Sequence, residues 1–241
     1  MKKSERHLIK RDELMTVFER STLYVEDHAR TMALVAGGVI LLAIAGFAVR
    51  SWMNKSEEQA SFLLGQIVET YRAPVAASLE SLQQATPGTK TYTTTEERDQ
   101  HLLELTDELL SRYGSSRAAP KALYYRGLAL AGLKKPEDAT KALLDLVTRY
   151  PDDFLAPMGR FQLGRLREQE GNVSEALIQY QALAEDAQGV FPKEEGLMGV
   201  ARCQEALGRK DEAIKTYRKI VSDFPDSDYQ FEARKKIDDL S

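Results

Sequence analysis

The 241-residue sequence predicts an all-α protein, a single transmembrane helix followed by a solenoid of stacked helix hairpins. Three observations predict it. An uncharged apolar run covers Thr31 to Val49. A set of small, bulky and helix-stopping residues then recurs every 37 residues. Within each copy the markers keep a helical spacing, as Ala213 and Tyr217 do one turn apart.

Composition narrows the class further. Hydrophobic content of 43% and charged content of 29% are those of a globular chain with room for one sizeable domain and an appendage. A net charge of −4 gives no bulk basic character, so no nucleic-acid partner is expected. The single cysteine, Cys203, excludes an intramolecular disulfide and a Cys-rich zinc site. Such a chain is at home in either redox environment. His7, His28 and His101 lie far apart in sequence and make no metal-ligand spacing, so they are expected at the surface with no metal or cofactor.

The run "TMALVAGGVILLAIAGFAV" reads as a membrane span. Its 19 residues carry no charge, and at 1.5 Å per residue they reach about 28 Å, close to a bilayer core. Arg30 and Arg50 bracket the run, and Trp52 stands where an interfacial anchor belongs. A buried core helix of this length would keep a polar face. Ala33 and Gly37 form one small-xxx-small pair, a weak signal for helix pairing. "AIA" at Ala43–Ala45 faintly resembles a cleavage site, but the segment before the run is far longer than a signal-peptide n-region, so an uncleaved anchor is expected. No cysteine follows the run closely, which removes a lipoprotein anchor.

Orientation follows from the cations. Lys2, Lys3, Arg6, Lys10, Arg11, Arg20 and Arg30 precede the span, whereas only Arg50 and Lys55 follow within 20 residues. The tail is therefore expected in the cytoplasm and the large C-terminal part outside it, in the periplasm of a bacterium. Leu14, Val17, Phe18 and Val25 outline a short amphipathic helix in the tail, which could lie on the membrane, hold a cytosolic partner or be weakly ordered. The expected organisation is 1–30 tail, 31–49 span, 50–95 membrane-proximal helices and loop, and 96–241 repeat domain.

The repeats align on "KKPEDATKALLDLVTRYP", "EGNVSEALIQYQALAEDAQ" and "GRKDEAIKTYRKIVSDFP". Ala139, Ala176 and Ala213 are 37 apart, followed one turn later by Leu143, Tyr180 and Tyr217, and then by Pro151, Gln188 and Pro225. Upstream stand Gly127, Gly164 and Ala201. Small residues let paired helices approach, the bulky residue fills the space beyond, and proline ends the helix. A lone hairpin cannot bury its apolar face, so neighbours stack.

These residues resemble the tetratricopeptide repeat from Pro120 to Gln230. The departures are the period of 37 rather than 34, Arg126 before a small residue, and Arg160, Arg167 and Gln188 in the middle copy. The expected helices are Ala118–Leu133, Pro136–Arg149, Leu155–Gln169, Ser174–Asp186, Lys193–Leu207 and Asp211–Asp223, with a capping helix near Asp228–Leu240. Upstream, "TEERDQHLLELTDELLSRYG" is expected to be the second helix of a degenerate repeat, opened by a Thr94–Glu97 capping box. "TPGTKTYTTT" reads as a loop, and Glu57–Tyr71 and Pro74–Gln84 as helices.

No phosphate loop, HExxH, nucleophile elbow or Cys–His pair occurs, so an enzyme is not expected. Acidic pairs such as Glu137/Asp138 and Asp211/Glu212 open second helices, where the helix dipole favours them. Cys203 is expected between packed helices as a small apolar residue rather than a reactive thiol. Solenoids of this kind bind through the concave face of their first helices. There the period superposes Tyr124, Phe161 and Met198, then Leu128, Arg165 and Arg202. The surface would suit an extended peptide with apolar side chains and some negative charge. The alternative is that the first row packs.

The tail "RDELMTVFERSTLYVEDHAR" and the ending "EGLMGVARCQEALGRKDEAIKTYRKIVSDFPDSDYQFEARKKIDDL" resemble the bacterial ancillary Sec translocon subunit (YfgM-like) family. That resemblance implies an inner-membrane protein whose periplasmic domain contacts secretory clients or their chaperones at the Sec translocon. It carries over no catalytic residues. A scaffold of another envelope complex, serving division, polysaccharide export or outer-membrane assembly, fits the same architecture.

Overall fold

The computed structural model describes residues 3–76, 90–186, 189 and 191–241. Its helices are α1 (Lys3–Arg72), α2 (Thr95–Tyr113), α3 (Ala119–Gly132), α4 (Pro136–Arg149), α5 (Ala156–Gln169), α6 (Val173–Ala184), α7 (Lys193–Ala206), α8 (Lys210–Asp223) and α9 (Gln230–Leu240). Among the described residues the only β pairing is one parallel bridge between Val75 and Tyr92. The chain divides into two compact units, Met1–Lys55 and Ser56–Ser241.

The first unit is helical. From Ala33 its helix is long and apolar enough to cross a membrane, by length and composition. Large apolar side chains stand out all round it, with Phe47 75% and Trp52 72% exposed. The side chains of Leu14, Val17, Phe18 and Val25 lie outside the described residues.

The second unit is a stack of antiparallel helices. The last part of α1 packs Ala60 and Ile67 against Leu102 and Leu109 of α2, all four fully buried. Tyr113 donates to Gln59 at 2.7 Å and ties the far ends of this pair. The pairs α3/α4, α5/α6 and α7/α8 follow as the three predicted hairpins, with bounds that differ from expectation by at most two residues at each end. Prolines near the start of α3, α4 and α5 occupy the first turn, where a missing N–H costs nothing.

Each first helix ends in the same motif. Lys134, Gly171 and Gly208 adopt φ of 57°, 78° and 73° at equivalent positions. Their N–H groups donate to Ala131, Glu168 and Glu205 carbonyls. The next residues, Lys135, Asn172 and Arg209, donate to Leu130, Arg167 and Gln204 at 2.8–2.9 Å. This is a Schellman ending repeated at the 37-residue period, and it sets the tight turn into the second helix.

The marker residues do the packing their sizes imply. A side chain at Gly127 would meet Leu143 at 2.6 Å, and one at Gly164 would meet the Tyr180 ring at 2.6 Å. Ala139, Ala176 and Ala213 are all fully buried. Two of the arginines that depart from the pattern are absorbed by charge pairing. Arg126 reaches Asp107 at 2.7 Å, and Arg167 reaches Glu170 at 2.8 Å and Glu175 at 2.9 Å. Gln188 lies outside the described residues.

At the C-terminus, Ala233 falls 37 after Gly196, 74 after Gly159 and 111 after Ala122, and all four are buried. So α9 occupies the place of a further first helix. Where its predecessors turn Gly127, Gly164 and Ala201 to a second helix, α9 carries the exposed Asp238. The charge suits a solvent-facing cap rather than another stacking face.

Two expectations need correction. Pro74–Gln84 is not a helix from its start: Ala73–Ala76 is non-helical, held by the Val75–Tyr92 bridge, because the residue before and the ring of Pro74 interrupt α1's hydrogen bonding. Residues 77–84 lie outside the described residues, as does the first part of the predicted 86–95 loop. The capping box at α2 is shifted. Thr94 Oγ1 accepts from Glu97 N–H at 3.0 Å as expected, but the Glu97 carboxylate accepts from Thr93 N–H at 2.9 Å and Thr93 Oγ1–H at 2.6 Å, one residue earlier than Thr94.

Candidate partner-binding surface

The six predicted residues sit on the first helices α3, α5 and α7 at equivalent heights, but their environments differ. Tyr124 is half-buried, packs edge-on to Tyr125 at 5.7 Å and bonds the Gln162 side chain. Burial pushes its hydroxyl up from the usual range. Leu128 is half-buried. Phe161 is half-buried among rings, 5.0 Å from Phe191 and 6.2 Å from Tyr180. Arg165 is exposed and has no ion pair among the described residues.

The third repeat departs from the first two. Met198 is only 1% exposed and packs with Ala213, Tyr217, Ile220 and Ala233 from α8 and α9. It is a core residue, so the apolar row ends at Phe161. Arg202 is half-buried and paired, its Nη2 3.1 Å from Glu168 Oε2 and its guanidinium 5.7 Å from the Tyr180 ring centroid. Burial acts to lower its pKa, but the bond and charge of Glu168 outweigh that and raise it. One of the two predicted cations is therefore neutralised, and Arg165 remains.

The sequence reading missed the polar ties that flank this surface. Tyr180 is fully buried and its hydroxyl donates to Glu168 Oε2 at 2.6 Å. Tyr217, also fully buried, donates in the same way to Glu205 Oε1. Both hydroxyls are pushed up, first by burial and then by the carboxylate bond. Each carboxylate also takes a cation from the next first helix, Arg202 for Glu168 and Lys236 at 3.0 Å for Glu205. The result is a Tyr–Glu–cation tie at two successive seams. Its sequence signal is a glutamate 12 residues before the bulky tyrosine, in both copies.

Cys203 is buried and free, its thiol pushed up to about 11 by burial and then by Glu168. That keeps it neutral and unreactive. Among the described residues no group of three or more His, Cys, Asp or Glu could hold a metal ion. Glu137/Asp138 and Asp211/Glu212 occupy the first turns of α4 and α8, as dipole partners.

These stacked, period-locked hairpins define a helical-repeat protein. The repeats are tetratricopeptide-like: a Tetratricopeptide repeat family model matches residues 121–153 and 195–227. Similar solved chains include nearly identical TPR-like repeats of a putative kinesin light chain from Podosopora anserina, with TM-score 0.47 and 13% identity over 60% of this chain and 78% of that one. A single-substitution variant of the same repeats gives 0.48 and 13% over 60% and 77%. A MamA RS-1 ArsTM double mutant gives 0.46 and 17% over 60% and 85%. No curated protein matches the chain in sequence. Tetratricopeptide repeats indicate a protein–protein interaction scaffold.

Proposed function

We propose that the chain is a membrane-anchored periplasmic adaptor with a chaperone-like role at the Sec translocon. Residues 31–49 cross the bacterial inner membrane once, 1–30 stay in the cytoplasm, and the repeats hold secretory clients or their chaperones near the translocon. The observation that carries the binding half is the pair Phe161 and Arg165 on α5. It offers an aromatic ring and, one turn on, an exposed arginine with no ion pair among the described residues. Tyr124 and Leu128 extend the apolar part along α3. An extended segment with a large apolar side chain beside a carboxylate would match this pair, the apolar group covering Phe161 and the carboxylate meeting Arg165. The anchoring half is supported by the exposed apolar helix and by the cation bias of its flanks.

Crosslinking in intact membranes followed by mass spectrometry tests the assignment. Translocon subunits and secretory clients are the expected adducts. Recovery of a division, polysaccharide-export or outer-membrane assembly complex instead would move the scaffold to that complex and overturn the translocon reading.

A further inference from the structure

Between α1 and α2 the chain leaves the repeat pattern, and its described ends are drawn together. Ala76 N–H donates to Tyr92 O at 2.9 Å, and Tyr92 N–H donates to Pro74 O at 3.1 Å. Tyr92 is 3% exposed and lies against His101 of α2, with ring centroids 5.9 Å apart and the hydroxyl 2.7 Å from Nδ1. Lys90 Nζ stands 3.2 Å from Nε2 and 3.3 Å from Nδ1 of the same ring. Thr70 of α1 approaches Nδ1 at 3.5 Å.

The Lys90 contact selects a tautomer: with the Tyr92 hydroxyl 2.7 Å from Nδ1, Lys90 finds an acceptor where Nε2 is unprotonated and Nδ1–H donates to Tyr92. An ammonium has donors and no acceptor, so it can stay at hydrogen-bond distance only while the imidazole keeps an unprotonated nitrogen. The imidazolium has two N–H donors and none to accept. One proton thus turns a donor–acceptor contact into two facing cations. Tyr92 is affected differently, because its oxygen accepts from Nδ1–H in both protonation states.

We propose that His101 and Lys90 form a proton-controlled latch. Neutral His101 holds Lys90 on α2, and protonation releases Lys90 while the backbone bridge at Tyr92 persists. The groups around the ring are few. Lys90 and Tyr92 come from the segment itself, with Lys90 Nζ 5.4 Å from the Tyr92 ring centroid, Thr70 from α1, and Glu104 from α2 one turn on; Glu97 of α2 acts on Lys90 by its charge, and Glu69 and Arg72 of α1 line the same cleft. That cleft measures about 1210 Å³ and is walled by Phe62, Leu64 and Val68. Burial and then the Lys90 charge hold His101 below its ordinary value, with Glu104 opposing them. The sign follows: the neutral, latched form is complete above the ordinary histidine value, and its contribution is lost as pH falls through that value toward the folded one. Acid therefore frees an ammonium at the edge of an apolar cleft.

The test uses the full-length chain in lipid nanodiscs with ¹⁵N-labelled histidine. The sequence has three histidines, and His101→Gln assigns the one of interest. Lys90→Gln should raise the His101 titration midpoint, because a cation is removed. In the same preparation, acylation of Lys90 relative to the exposed Lys141 cancels the intrinsic pH dependence of amine labelling. That ratio should rise as pH falls through the His101 midpoint, and stay flat in His101→Gln, whose amide oxygen accepts without titrating. An unchanged midpoint in Lys90→Gln, or a flat ratio in the native chain, overturns the latch.

Discussion

Lys134 should be replaceable by glycine with a gain in stability. It is the first-repeat counterpart of Gly171 and Gly208, yet it holds the same left-handed backbone at φ 57°. That region costs an L-residue about 1–2 kcal/mol. Glycine avoids the cost but has more freedom to lose on folding, about 0.5–1 kcal/mol. Lys134→Gly should therefore stabilise by roughly 0.5–1 kcal/mol. The reverse changes, Gly171→Lys and Gly208→Lys, should destabilise by about as much. Among the described residues a Cβ at either glycine meets nothing within 4 Å, so their cost is conformational and not steric. Lys134→Ala separates charge from backbone, since it keeps the strained φ and should move stability little. The assay is urea unfolding of the full-length protein in detergent micelles, followed by circular dichroism. The reasoning is refuted if Lys134→Gly leaves the midpoint where it was, or if lysine is accepted at 171 and 208 without loss.

Three further outcomes follow from the same packing. Gly199→Ala would drive a methyl into the Tyr180 ring, which is pinned from the other side by Gly164 and by its bond to Glu168; overpacking of about 1–3 kcal/mol should exceed the helix-propensity gain of about 1 kcal/mol, whereas Gly65→Ala, whose methyl meets nothing within 4 Å among the described residues, should simply gain. Opposite shifts in thermal midpoint are expected, and equal gains at both sites would contradict the Tyr180 packing. Cys203 should resist iodoacetamide at pH 8 in the folded chain and react once urea is added, with the alkylated fraction read by mass spectrometry. Glu97 is held below the usual carboxylate range, mainly by the Thr93 hydroxyl, so its contribution to the α2 start is complete above the ordinary value and lost as pH falls. Amide exchange at residues 95–98 should accelerate in acid relative to the middle of α2, and less so in Glu97→Gln.

Most of the helix framework was legible because it rests on a period. Small residues at Gly127, Gly164 and Ala201, and the bulky residues facing them, force one close approach in every hairpin, and nothing local competes with it. The proposed binding row was less legible because the same period carries positions through different surroundings. Met198 aligns with Tyr124 and Phe161, but Ala233 and the rest of the α8–α9 cluster close over it. Arg202 aligns with Arg165, yet it has Glu168 beside it, whereas Leu128 and Arg165 have no such tie among the described residues. The Tyr–Glu ties escaped notice because glutamates on helices ordinarily face solvent, and only their repeated 12-residue spacing to Tyr180 and Tyr217 distinguishes Glu168 and Glu205. The stretch after Pro74 misled because its composition is helical, while the bridge to Tyr92 is a pairing between residues 17 apart that no local pattern encodes.

Site-specific photocrosslinking puts the central claim to the most direct test. A photoreactive residue at Arg165, on the proposed capture surface, is compared with one at Lys215, exposed on the second helix α8, in intact membranes. The account predicts protein adducts at 165 that are absent at 215 and that diminish when Phe161 is changed to Ala, with helicity unaltered. Equal adducts at both positions, or adducts at 165 indifferent to Phe161, would contradict it.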